Sequence, residues 1–278
     1  MVDDRHGRGG ARRSRSGSAD EHRGAWRGRD GSRSGPGRAR SARSAQPRPM
    51  SADGDRAVED GPTIPPGIDA RQLSPEIRRE LSTLDRATAD AVARHLVAAG
   101  ELLDEDPQAA LSHARAARAR SSRIAAIREA VGIAAYHCGD WAQALAELRA
   151  ARRMGSKSSL LALIADCERG LGRPQRAIEL ARGPEAAQLS GDDADELRIV
   201  AAGARADLGQ LEQALVVLST PHLDPARTGS TAARLFYAYA ETLLALGRGD
   251  EALQWFLRSA AADTEGVTDA EDRVSELG

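Results

Sequence analysis

Residues 124–148 read IAAIREAVGIAAYHCGDWAQALAEL and contain the pattern that decides the fold. An apolar stripe at helical spacing precedes Gly139 and Asp140, and a second helical segment with the pair Ala144-Leu145 follows them. Glycine adopts the left-handed conformation that ends many helices, and a carboxylate suits the unpaired N–H groups that begin the next helix. The stretch therefore predicts a helical hairpin.

The same arrangement recurs along the chain. An Ala-Leu or Ala-Ile pair begins at Ala110, Ala144, Ala177, Ala214 and Ala252, at spacings of 34, 33, 37 and 38 residues. A glycine stands five residues before the alanine in the last four copies, at Gly139, Gly172, Gly209 and Gly247, and Glu105 takes its place in the first. This period predicts a solenoid of helical hairpins, in which the small alanines let the two helices approach. The longer spacings predict longer turns between the later hairpins.

These copies resemble the tetratricopeptide repeat (TPR), a helix-turn-helix unit of about 34 residues. The second copy matches at Val131-Gly132, Gly139, Trp141, Ala144 and Leu148, and the fifth at Phe236, Tyr239, Ala240, Leu243, Gly247, Ala252 and Phe256. Pro174 and Pro184 weaken the third copy, because the second proline falls where its second helix should finish. The resemblance implies an all-α, right-handed solenoid of about five hairpins, and the amphipathic residues 268–277 are expected to form a C-terminal capping helix.

Charge divides the chain into two parts. Residues 1–50 contain 13 arginines, no lysine and five acidic residues, whereas the remainder has a net charge of −10. The first part is almost all Arg, Gly, Ser, Ala, Pro and Asp, so it cannot bury enough apolar surface to fold. We therefore expect residues 1–67 to form a disordered tail and linker and residues 68–278 to form the solenoid domain. Met50 is an alternative start of the protein.

The composition also bears on origin and location. The chain has no apolar signal segment and no run long enough to span a membrane, which favours a cytoplasmic protein. An organellar transit peptide is the alternative for the arginine-rich start, although Asp3 and Asp4 fit it badly. Frequent Arg, Ala and Gly with one lysine and no asparagine is typical of a GC-rich genome, and we expect a bacterial origin.

Motifs for catalysis or cofactor binding are missing from the sequence. The chain has no P-loop, no G-x-S-x-G elbow and no H-E-x-x-H helix, so neither enzymatic activity nor a cofactor is expected. The two cysteines, Cys138 and Cys167, lie on apolar helical stripes and are interpreted as buried thiols. Their spacing from the histidines matches no tetrahedral metal site.

The resemblance to TPR proteins implies a binding groove lined by the first helix of each hairpin. The residues expected to face this groove are His95, Leu102, Glu129, Ile133, Tyr136, Asp166, Arg169, Ile199, Tyr237 and Glu241. Their slight acidic excess beside tyrosines favours a basic or amphipathic peptide of a protein partner. Some chaperone-binding members of the family hold a carboxylate with lysine and asparagine, and a chain with only Lys157 and no asparagine does not fit that class. The prediction is a non-enzymatic scaffold.

An alternative function rests on the tail. Its Arg-Gly and Arg-Ser clusters resemble segments that bind RNA through phosphates, and the candidate contacts are Arg8, Arg12, Arg13, Arg15, Arg23, Arg27, Arg29, Arg38 and Arg40. A second basic cluster is expected on the outer face of the solenoid, at Arg115, Arg118, Arg120, Arg123, Arg128, Arg149, Arg152, Arg153 and Lys157. Two further roles stay open for the tail, which are to fold back onto the acidic body and to serve as a solubilising leader.

Overall fold

Twelve α-helices account for most of the chain that the computed structural model describes, which comprises residues 61–156 and 159–278. Residues 1–60 of the predicted tail and linker, which were expected to span residues 1–67, lie outside these ranges. Residues 61–67 contain no helix, and the domain boundary after Gly67 stays a prediction. Within the described ranges, no helix is both long enough and apolar enough to cross a membrane.

Ten of the helices pair as five hairpins. The first helices of the hairpins are α2 (Arg86–Glu101), α4 (Ala125–His137), α6 (Leu161–Gly170), α8 (Gly191–Asp207) and α10 (Ser230–Ala245). The second helices are α3 (Pro107–Arg120), α5 (Trp141–Arg153), α7 (Pro174–Ala181), α9 (Leu211–Leu218) and α11 (Gly249–Ala262). A short helix, α1 (Pro75–Leu81), precedes the first hairpin, and α12 (Ala270–Leu277) follows the last.

The hairpins stack in chain order. The two helices of each hairpin pack against one another, and each second helix also packs against the first helix that follows it, from α3 on α4 to α11 on α12. First helices touch as well, with α8 lying between α6 and α10. This is the helix packing of a TPR-like solenoid, and it confirms the predicted all-α class with α12 as the helix that caps the last hairpin.

The glycine turns are confirmed in four of the five hairpins. Gly139, Gly172, Gly209 and Gly247 have φ angles of 70°, 71°, 72° and 76°, a region that a residue with a Cβ rarely adopts. The residue after each glycine donates its N–H to a carbonyl five residues back, as Asp140 does to Ala135 at 2.9 Å. The first hairpin has no glycine there; instead the Asp106 carboxylate accepts from the N–H of Ala109 at 3.0 Å and begins α3.

The repeated alanines lie where the helices of each hairpin meet. Ala110, Ala144, Ala177, Ala214 and Ala252 are all completely buried, as the spacing predicts. Larger side chains fill the remaining space, and Phe236 and Phe256 are the largest that are fully buried. The interior therefore consists of successive cores between neighbouring helices, which is the arrangement expected of a solenoid.

Two second helices are shorter than the others. Helix α7 has eight residues and ends at Ala181, before Pro184, which confirms the predicted weakness of the third copy. Helix α9 also has eight residues, and this shortening was not predicted. The carbonyl oxygen of its last residue, Leu218, accepts from the guanidinium of Arg198 on α8, which also donates at 3.2 Å to the carbonyl oxygen of Pro221 in the segment that follows. The segments after α7 and α9 are long, as the spacings of 37 and 38 predict.

Candidate functional site

Three of the predicted groove residues meet on adjacent first helices. The hydroxyl of Tyr136 on α4 donates to Oδ2 of Asp166 on α6 at 2.5 Å. Arg169, one turn along α6, donates to the other oxygen of Asp166 at 2.7 Å and to Asp207, the last residue of α8, at 2.8 Å. We call Tyr136, Asp166, Arg169 and Asp207 the central network. It joins three first helices through side chains that remain partly exposed.

Packing fixes the positions of these groups. The ring of Tyr136 meets the ring of Trp141 edge to face, with centroids 5.2 Å apart. Gly203 of α8 provides the surface under Arg169, since a Cβ at that glycine would lie 2.8 Å from the guanidinium carbon. The guanidinium therefore lies directly against the backbone of α8, between two carboxylates.

The electrostatics keep the central network charged and hydrogen bonded. Burial acts to lower the pKa of Arg169, but the hydrogen bond and charge of Asp207, together with Asp166, outweigh it and raise the pKa above its usual value. Burial, followed by the charge of Asp166, raises the pKa of Tyr136, so its hydroxyl stays a proton donor. With two carboxylates and one guanidinium, the central network has a net charge of −1.

Two more predicted groove residues meet at the end of the solenoid, under α12. Arg273 of α12 donates to Glu241 of α10 at 2.9 Å, and Tyr237 hydrogen bonds to Asp269 just before α12. Burial and this hydrogen bond raise the pKa of Tyr237. The capping helix therefore occupies the part of the α10 face that these two residues form.

The other predicted groove residues are placed differently. His95 is buried, with 3% of its surface exposed, and Leu102, Ile133 and Ile199 are half-buried against the cores. Glu129 accepts a hydrogen bond from Ser156 at 2.8 Å. The face that brings predicted residues together is thus the one around the central network. Asp207 belongs to the central network, and Arg273 contacts Glu241 under α12. Neither was predicted, because their partners Arg169 and Glu241 are 38 and 32 positions away in the sequence.

His95 instead forms a pair inside the first hairpin. Its Nδ1 lies 3.0 Å from Nδ1 of His113 on α3, so one ring donates and the other accepts. Burial, and then the charges of Arg120 and His113, lower the pKa of His95 to about 4, and burial also lowers the pKa of His113. Both rings are therefore neutral at pH 7.

The cysteines occupy two separate environments. Cys138 is half-buried with its Sγ 3.2 Å from the carbonyl oxygen of Pro107, and Cys167 is fully buried. Burial, followed by the charges of Asp166 and Glu168, raises the pKa of the Cys167 thiol to about 12. Both are free thiols, and among residues 61–156 and 159–278 no cluster of side chains is arranged to hold a metal ion.

Much of the predicted basic cluster is paired with carboxylates. Arg118 and Arg128 both contact Glu147, and Arg149 donates to Glu168 at 2.6 Å. Arg123 and Arg153 are exposed, and Lys157 lies outside the described residues. The candidate RNA contacts of the tail, from Arg8 to Arg40, also lie outside them, so RNA binding through the tail stays a prediction.

Comparison with solved structures finds a structural likeness. The chain matches no protein-family model and none of the curated proteins compared with it. Among solved structures it is similar to YrrB, described as a TPR protein with an unusual peptide-binding site, at 17% sequence identity and a TM-score of 0.42. That match covers 71% of this chain and 97% of YrrB. The TPR-like arrangement described above rests on the helices, turns and repeat alanines of this chain itself.

Proposed function

We propose that this chain is a non-enzymatic scaffold that binds an extended peptide segment of a protein partner across α4, α6 and α8. The observation that carries the proposal is the central network, a row of hydrogen-bonding side chains that crosses three consecutive first helices. Asp207 has 40% and Arg169 has 28% of its side chain exposed, so both can also contact a ligand. Half-buried Ile133 and Ile199 add apolar surface to the same helices.

The charge of the central network favours one kind of peptide. Its net charge of −1 favours a basic side chain, and its donors and acceptors suit the amide groups of an extended backbone. Asp166 is already engaged by Tyr136 and Arg169, whereas Asp207 contacts one guanidinium and is the more exposed carboxylate. Asp207 is therefore the group proposed to meet a lysine or arginine of the partner.

The test is a pull-down with the tagged full chain from a nuclease-treated lysate, using Asp207→Asn and the matched variant Asp104→Asn. Asp104 is exposed in the turn before α3, away from the central network. We expect Asp104→Asn to recover the same partner as the wild type, and Asp207→Asn to recover about fivefold less, since one charge-assisted contact is lost. Equal recovery by both variants would contradict the proposal, and loss of every partner on nuclease treatment would favour the RNA alternative.

A further inference from the structure

A cavity of about 620 Å³ opens between α5 and α7, on the side of the second helices. Its charged walls include four arginines, Arg149, Arg152, Arg173 and Arg176, together with three glutamates. Leu161 and Leu180 provide apolar surface inside it. No residue of the central network lines this cavity, so an inference from it is independent of the proposed function.

One position distinguishes α7, which lines this cavity, from α5 in the preceding hairpin. Three residues after the repeat alanine, α5 carries Glu147, which is buried and accepts from Arg118 of α3 and Arg128 of α4. These contacts link α5 to α3 and α4, and we call the boundary between two successive second helices a seam. The equivalent position of α7 is Leu180, which cannot accept a hydrogen bond. The seam between α5 and α7 therefore lacks the carboxylate that closes the previous one.

Arg152, the arginine beside α7, pairs with a more exposed carboxylate than Arg118 does. Arg152 occupies the repeat position of Arg118, eight residues after the alanine, and donates at 2.6 Å to Glu185 in the turn after α7. The Arg152 and Glu185 side chains are 38% and 57% exposed. Arg176 forms a similar exposed pair with Glu179, at 2.6 Å. Exposed pairs contribute little to stability, so both arginines can exchange their partners for the carboxylates of a ligand.

One glutamate of the cavity is fixed. Glu168 has 4% of its side chain exposed and contacts Arg149 at 2.6 Å and Arg173 at 3.4 Å. It holds these two arginines at the cavity wall and is not available to a ligand. The exchangeable groups are therefore Arg152 and Arg176, which line the same cavity as half-buried Leu180 and as Leu161, of which 5% is exposed.

We infer that this cavity, which we call the α5–α7 cavity, binds an acidic peptide segment of a partner protein. A leucine-sized side chain of the peptide packs on Leu161 and Leu180, and flanking carboxylates pair with Arg152 and Arg176. The cavity has one more arginine than glutamate, and a peptide carboxylate that replaces Glu185 or Glu179 releases that glutamate into solvent at little cost.

The test measures binding of a short fluorescein-labelled peptide of repeated Glu-Glu-Leu triplets to the full chain by anisotropy. The variant is Arg152→Glu with Arg176→Glu. The control makes the same change of net charge at two exposed arginines near the first hairpin, Arg71→Glu with Arg86→Glu. We expect Kd to rise about tenfold or more for the first variant, which loses two charge-assisted contacts, and less than about twofold for the control. Equal weakening in both would assign the binding to overall charge and overturn the inference.

A second variant tests the origin of the cavity. Leu180→Glu places a carboxylate at the repeat position of Glu147, where we expect it to pair with Arg152 and prevent peptide binding while the melting temperature stays near that of the wild type. If this variant does not fold, the arginine variants decide the question. Single-stranded oligouridine is the competing ligand. If it binds more tightly than the peptide and is weakened by the same arginine changes, the cavity is a nucleic-acid site and the inference is wrong.

Discussion

His95 and His113 form a buried pair whose charge is controlled by the fold. Both are 3% exposed, their Nδ1 atoms are 3.0 Å apart, and each of them is buried between α2 and α3. Arg120 of α3 adds positive charge near the pair and disfavours protonation further. A proton added here would be buried and would face a second ring and a guanidinium, so the pair resists protonation.

Stability should therefore fall as the pH drops from 6.5 towards 4. The folded pKa of His95, about 4, is below its unfolded value of 6.5, so above pH 6.5 both states are neutral and stability is complete. Below pH 6.5, His95 is protonated in the unfolded chain but stays neutral in the folded chain until about pH 4, and this difference lowers the free energy of unfolding. We expect a loss of about 2 kcal/mol by pH 5 from this residue, measured as the free energy of unfolding in urea.

The matched variants for this prediction are His95→Gln and His137→Gln. Glutamine can keep a hydrogen bond to His113 but does not titrate, so His95→Gln should reduce the difference between pH 7 and pH 5 by about 2 kcal/mol, the share of His95. His137 is exposed at the end of α4, and its replacement should leave the difference unchanged. An unchanged pH dependence in His95→Gln would show that the buried pair is not its source.

At the scale of one helix packed on another, Gly132 sets how closely α4 approaches α5. A Cβ there would lie 2.7 Å from Cγ and Cδ2 of Leu148 and 3.1 Å from its backbone nitrogen, and a backbone atom inside a helix cannot move aside cheaply. We expect Gly132→Ala to lower the free energy of unfolding by about 1–3 kcal/mol. Gly100→Ala is the control, because Gly100 lies within α2 with open space around it, and it should raise stability by about 0.5–1 kcal/mol. If the two alanines acted in the same direction, the close approach of α4 and α5 would not be what Gly132 provides.

The same helices show how far the sequence could predict this structure. Alanine pairs and turn glycines recur because every hairpin packs its two helices in the same way. The roles of Ala144 as a buried contact and of Gly139 as a turn residue could therefore be predicted from the sequence. His95 was expected in the groove because the resemblance to TPR proteins places residues of first helices there, but the residue that it meets, His113, is 18 positions away on α3. Asp207 could not be assigned from its neighbours, since its partner Arg169 is 38 positions away.

Across the whole molecule, buried carboxylates join successive hairpins. Glu147, Glu168 and Asp195 are each 6% exposed or less, and each accepts from two arginines on different parts of the stack. Removing one partner of such a group leaves a buried charge without compensation, which is costly. At Glu147 such a joint links α3, α4 and α5. Beside Leu180 the corresponding joint is Glu168 of α6, which contacts Arg149 of α5 and Arg173 just before α7, and α7 itself carries no carboxylate at the position of Glu147.

Among the five hairpins, the stack should open first at α7. This helix is eight residues long, its one buried residue is Ala177, and cavities of about 620 Å³ and about 320 Å³ lie beside it. Stability in repeat proteins is close to a sum over units and their interfaces, so the unit with the least buried surface exchanges first. In hydrogen exchange followed by mass spectrometry, we expect the amides of α7 to exchange at least about tenfold faster than those of α5, a gap of roughly 1.4 kcal/mol in local opening.

Helix α9 provides the internal control for this prediction, because it has the same length as α7 but a different environment. Its Leu218 is fully buried, and Arg198 caps its last carbonyls, so we expect its amides to be better protected than those of α7. Equal exchange of α7 and α9 would mean that helix length alone sets protection. Uniform exchange across all five hairpins would instead mean that the described domain opens as one cooperative unit, and that the missing carboxylate at Leu180 does not weaken the stack.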